Sequence, residues 1–106
     1  MLFGYNGKIL HVNLTTNEVS VEEQPEEFYR KYLGGPGIGL YYLLQEDLSA
    51  LDPLGPENPL VFAAGLLTGT PSPCVPRYTV MSKSPLTGAL GKSEAGGFWA
   101  PQLKQA

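Results

Sequence analysis

Thirteen glycines and ten prolines are spread along 106 residues, set between short apolar runs rather than pooled in one block. That punctuation constrains the fold more than any other feature. Proline fixes φ and removes a backbone donor, while glycine admits turns that other residues resist. The chain therefore reads as short elements joined by turns and tight backbone, not as disorder. A single domain of this length can bury roughly two-thirds of its unfolded surface, so a real core is available to it.

The apolar runs set the elements. Leu10, Val12 and Leu14 alternate along 8–14, the pattern of a half-buried strand, and 18–22 alternates again after Thr15-Thr16-Asn17. Together they predict a β-hairpin. Residues 26–33 predict a short helix, with Pro25 near its first turn and Gly34 just past its end. Leu40, Leu43, Leu44 and Leu48 fall at i, i+3, i+4 and i+8, which predicts a helix over 40–48. A turn-rich stretch at 52–59 precedes Leu60 to Ala64, read as a buried strand. Strands over 77–82 and 89–93 flank a turn at Ser84–Gly88, and 98–106 predicts a final helix with no capping glycine, cut off mid-element. The expected class is α+β: one domain over 1–106, antiparallel and β-rich, with short helices.

Charge and composition remove several functions. Residues 1–60 carry nine acids against three bases, a balance of −6; residues 61–106 carry one acid against four bases, a balance of +3. Nucleic-acid binding needs a denser basic face, but a small anionic ligand needs only one or two placed cations. No apolar run reaches the roughly 18 residues of a membrane span, and the first seven residues lack a leader pattern. One cysteine, Cys74, excludes an intrachain disulfide and any cluster held by cysteines of this chain alone, and sets a cytoplasmic expectation.

Motifs with possible chemistry are few. The Gly34–Gly39 cluster fails as a nucleotide loop: Leu40 and Tyr42 stand where a third glycine is required, and no Lys-Ser/Thr follows Gly39. It reads as a tight helix-to-helix turn. His11 has no His or Cys partner nearby and reads as structural or superficial, and Cys74 reads as an inert thiol. The last segment differs. Gly96-Gly97 before a helix offers bare N–H groups, and Arg77 opens a strand that can run beside it. Two readings stand there: a phosphate-bearing ligand held by Arg77 and the Gly96-Gly97 amides, or a plain glycine turn.

Seven phrases then occur in a known order. They are Gly7-Lys8-Ile9-Leu10-x-Val12-Asn13-Leu14-Thr15, Tyr32-Leu33-Gly34-Gly35 and Asp52-Pro53-Leu54-x-Pro56-Glu57-Asn58. Ala64-Gly65-x-Leu67-Thr68-Gly69-Thr70, Arg77-x-x-Val80, Lys83-Ser84-Pro85-Leu86-Thr87-Gly88 and Gly96-Gly97-Phe98 follow. In this order they resemble the N-terminal domain of the tungsten-containing aldehyde ferredoxin oxidoreductases. The ending Gly96-Gly97-Phe98-Trp99-Ala100-Pro101-x-Leu103-Lys104 is also similar to the tungsten subunit of the class II benzoyl-coenzyme A reductases.

The resemblance implies the front half of a pterin-supporting domain in an enzyme that oxidises aldehydes to carboxylic acids, with ferredoxin as electron acceptor. It implies tungsten, or molybdenum, held by two pterins. It places a pterin-phosphate contact on Arg77, a backbone amide contact on Gly96, and a magnesium contact on the main-chain carbonyl of Glu94. The [4Fe-4S] cluster and the acid–base groups are implied to lie outside this chain, which then holds no catalytic residue. Implied partners are the remainder of the enzyme polypeptide or a second subunit, and a homodimer is possible. The alternative is a non-catalytic module of the same fold, its partner surface an exposed apolar patch at Leu60–Leu67, Phe98 and Trp99.

Overall fold

The computed structural model describes residues 4–106; residues 1–3, where the stretch lacking a leader pattern begins, lie outside it. Strands β1 (Lys8–Asn13) and β2 (Glu18–Glu23) pair antiparallel in the expected hairpin. The turn is fixed by Asn13, whose side-chain oxygen accepts the Thr15 and Thr16 N–H groups at 3.0 and 3.3 Å.

Which face the hairpin buries differs from the expectation. Ile9 packs against the core, and Glu22 opposite it accepts hydrogen bonds from Tyr42 Oη at 3.0 Å and Gln24 Nε2 at 2.7 Å. Leu10, Val12, Val19 and Val21, paired across the other face, are each more than half exposed. The aromatic cluster of the following helices sits on the Ile9 side, and among the described residues nothing covers the other.

Helix α1 (Glu26–Tyr32) starts with two acids and ends with two bases, matching the helix dipole, and buries Phe28 and Tyr29. It closes through Leu33 in the left-handed conformation, φ 60°. Helix α2 (Gly35–Leu43) begins five residues before the predicted start and ends before Leu48. The i, i+3, i+4, i+8 spacing is real but belongs to Gly35, Ile38, Gly39 and Leu43, the residues this helix buries. The tight turn between α1 and α2 is therefore confined to Leu33 and Gly34, and Gly35, Gly37 and Gly39 lie inside the helix. Their bare faces let α2 come close to a sheet: a Cβ on Gly39 would lie 2.7 Å from Met81 Sδ.

That sheet has three antiparallel strands in the order β3 (Val61–Ala64), β4 (Tyr78–Lys83), β5 (Leu90–Ala95). One face carries Ala63, Thr79 and Met81 beneath α2. The opposite face carries Phe62 and Tyr78, against which Trp99 of α3 (Trp99–Gln105) packs at 5.7 and 4.5 Å between ring centroids. Lys83 at the end of β4 ties the 44–51 segment down by donating to the Leu48 and Leu51 carbonyls. The α+β class, antiparallel and β-rich with short helices, is what the chain folds into.

Candidate functional site

Two of the four bases of residues 61–106, Arg77 and Lys92, meet at one corner of the three-stranded sheet. Arg77 immediately precedes β4, and the register pairs Tyr78 with Ala95 and Thr79 with Glu94. One further step brings Arg77 level with Gly96, which lies against Pro76: a Cβ there would sit 3.8 Å from the proline Cγ. Side chains two apart on a strand share a face, so Lys92 and Glu94 project together from β5. The Arg77 guanidinium and the Lys92 ammonium each donate to the Glu94 carboxylate at 3.4 Å.

All three sequence-designated residues, Arg77, Glu94 and Gly96, thus meet at one end of the β4–β5 pair. Two cations flank one carboxylate, and both are open to solvent, Arg77 at 73% and Lys92 at 50% exposure. Ion pairs this exposed are worth about 0–1 kcal/mol, so the guanidinium is readily exchanged to an incoming anion. Gly97, with φ 92°, turns the backbone from β5 toward α3 beside it. What the corner offers an anion is charge-assisted hydrogen bonding from Arg77 and added positive charge from Lys92. Glu94 opposes such an anion by its side chain and leaves its main chain free of that conflict.

Arg77 is held from behind. Its carbonyl accepts from the Thr68 hydroxyl at 2.9 Å and from the Gly65 N–H at 3.4 Å, and Thr68 is almost fully buried. Thr68 and Lys92 were not among the designated residues. Lys92 shares the strand parity of Glu94 and is legible from the β5 pattern; Thr68 carries no sequence signal of its contact nine residues away.

The other candidates lie elsewhere. His11 hydrogen-bonds Glu22 at 2.7 Å and meets the Tyr42 ring edge-on, a structural arrangement on the hairpin. Cys74 is exposed and free, with φ 60°. An open hollow of about 350 Å³ lined by Leu60, Ser82, Pro85 and Gly91 also reaches Lys92, but it runs toward the far end of β4 from Arg77. The described residues hold no group of three or more His, Cys, Asp or Glu suited to a metal ion, and no helix among them is long and apolar enough to cross a membrane.

Comparison with known proteins gives consistent findings. The profile of the aldehyde ferredoxin oxidoreductase N-terminal domain matches residues 9–106. A tungsten-containing aldehyde ferredoxin oxidoreductase of Pyrococcus abyssi is 50% identical over 105 residues, covering 99% of this chain and 17% of the relative. The aliphatic sulfonate oxidoreductase WOR-like subunit of Pyrococcus furiosus is 39% identical over 90% of this chain and 16% of its own length. Among solved structures, a chain in the active-site complex of benzoyl-coenzyme A reductase with 1,5-dienoyl-CoA superposes with a TM-score of 0.92 at 38% identity. That match covers 98% of this chain and 16% of that one.

Proposed function

This chain belongs to the aldehyde ferredoxin oxidoreductase family, through its N-terminal domain, and from that premise we propose that it supplies the phosphate-side contacts of a tungsten (or molybdenum) bis-pterin. The observation that carries the reading is the meeting of Arg77 and Gly96 at one sheet corner, with Lys92 beside them. The residues fit the group: exposed cations suit phosphate oxygens, and Gly96 presents no side chain to the approach. Arg77 would donate to a pterin phosphate, the Gly96 backbone amide would add a neutral donor, and the Glu94 main-chain carbonyl would be the contact for a magnesium ion. A magnesium ion held there would supply positive charge that offsets the Glu94 carboxylate beside an anion.

When bound, the pterin-held metal supplies two-electron redox chemistry; the part of this chain is to bind and orient it. The reaction proposed for the whole enzyme is oxidation of an aldehyde to a carboxylic acid with ferredoxin as acceptor. The [4Fe-4S] cluster belongs to protein beyond this chain, which has one cysteine against the four thiolates such a cluster needs. The chain spans about 17% of the length of the curated relatives it matches, and it is read as the front half of a larger cofactor-supporting domain.

The exposed apolar faces favour a protein partner. Leu60, Phe62, Leu67 and Phe98 are each half exposed or more, as are Leu10, Val12, Val19 and Val21 of the hairpin. We assign these faces to the remainder of a family-length polypeptide or to a second subunit; a non-catalytic partner-binding module is the competing reading. The test is Arg77→Ala in a family-length enzyme carrying this segment. Tungsten content of the folded protein falls several-fold on the cofactor reading. Unchanged tungsten content contradicts it.

A further inference from the structure

Helix α3 carries a lysine whose ammonium is committed wholly to backbone. Lys104 Nζ donates to the Gly65 carbonyl at 3.0 Å, the Leu66 carbonyl at 2.8 Å and the Gly4 carbonyl. Among the described residues no carboxylate pairs with it. Three carbonyls satisfy all three donors of an ammonium, which is what permits a charged group to be half-buried there. Burial alone pulls the amine below the ordinary lysine range.

Two of those carbonyls belong to the loop that grips Arg77. Gly65 is held on both sides: its carbonyl accepts from Lys104, and its N–H donates to the Arg77 carbonyl at 3.4 Å. The same Gly65 carbonyl accepts the Thr68 N–H at 3.1 Å, and the Thr68 hydroxyl is the second donor to Arg77. Anchoring α3 does not account for this arrangement. Trp99 against Tyr78, a fully buried Ala100 and Pro101 against Gly69 already dock that helix.

We propose that Lys104 is a positioning residue for Arg77: by clamping the Gly65 and Leu66 carbonyls it fixes the two donors that hold the Arg77 main chain, and so the direction in which the guanidinium leaves the sheet. Its functional meaning rests on the phosphate reading of the Arg77 corner, whereas the clamp itself does not.

The test compares this chain with its Lys104→Met variant by residue-resolved amide hydrogen exchange and by titration with inorganic phosphate. The clamp predicts that the Gly65 amide exchanges at least about tenfold faster while Val80 and Met81 in β4 stay within about twofold. It also predicts phosphate binding weakened about fivefold, the size of one ordinary hydrogen bond lost through misalignment. Gly65 exchange within twofold of the parent overturns the proposal, as does uniform acceleration of Gly65 and β4, which marks general loosening. If Lys104→Met does not fold, Lys104→Arg decides: it keeps the charge, but a planar fork cannot meet three carbonyls converging on one point. Faster Gly65 exchange in that folded variant supports the clamp, and parent-like exchange overturns it. No response of the parent chain to phosphate overturns the site reading, while the Gly65 comparison still decides the clamp.

Discussion

Gly34→Ala is predicted to be among the most damaging single-methyl additions to this chain. Gly34 has φ 82° and ψ −173°, a region that residues with a Cβ avoid at a cost of about 1–3 kcal/mol. Its backbone also bridges to Gly65, so an added Cβ would lie 2.7 Å from Leu66 N and 2.9 Å from the Ala64 carbonyl oxygen. Those are main-chain atoms and cannot rotate aside. Overpacking of this kind adds about 1–3 kcal/mol, for a total of about 2–6 kcal/mol. Gly88 is the internal control: its φ is 72°, but an added Cβ meets nothing within 4 Å. Gly88→Ala therefore carries only the left-handed backbone cost, about 1–2 kcal/mol. Urea unfolding followed by the single tryptophan, Trp99, which packs on Tyr78, measures both. A thermal midpoint falls by about 4–8 °C per kcal/mol in a domain near this size. Equal losses in the two variants would refute the reasoning, because they would mean the contact with Ala64 and Leu66 contributes nothing.

Three further outcomes are expected. The Tyr29 hydroxyl is buried and has no partner among the described residues, so Tyr29→Phe is neutral to stabilising by about 1 kcal/mol in the same unfolding assay; a loss above that size contradicts the packing. Burial, with the Glu22 carboxylate adding to it, pushes the Tyr42 phenol up to about 12. Its stability contribution is thus complete below the unfolded value of 10 and is lost as pH rises toward 12. In a phenolate absorbance titration, Tyr42→Phe removes a late-ionising step, and loss of a step near pH 10 instead speaks against that environment. Glu94→Gln removes the carboxylate competing for Arg77 and Lys92, and strengthens inorganic phosphate binding about two- to fivefold, the worth of exposed ion pairs; weaker binding contradicts the proposed competition.

Local signals in the sequence were legible because each rests on near neighbours. The hairpin followed from alternation at 8–14 and 18–22, and the meeting of Arg77 with Gly96 followed from adjacent strand patterns. The register of α2 did not. Glycine scores as a breaker, yet Gly35 and Gly39 lie on the buried stripe because the sheet beneath leaves no room for a side chain at Gly39. The buried face of the hairpin was misjudged for a related reason. Leu10 and Val12 form the more apolar stripe, but the aromatic rings of Phe28 and Tyr29 sit on the Ile9 side. Lys104 was silent because its acceptors lie 38, 39 and 100 residues away, and carbonyl acceptors leave no trace in residue type.

The most direct test of the anion corner is a titration of the isotope-labelled chain with inorganic phosphate, read at the Gly96 and Gly97 amides and the Arg77 side-chain N–H. The account predicts saturable shifts confined to that corner and abolished by Arg77→Ala. Absence of saturable shifts there, or the same affinity without the Arg77 guanidinium, would contradict it.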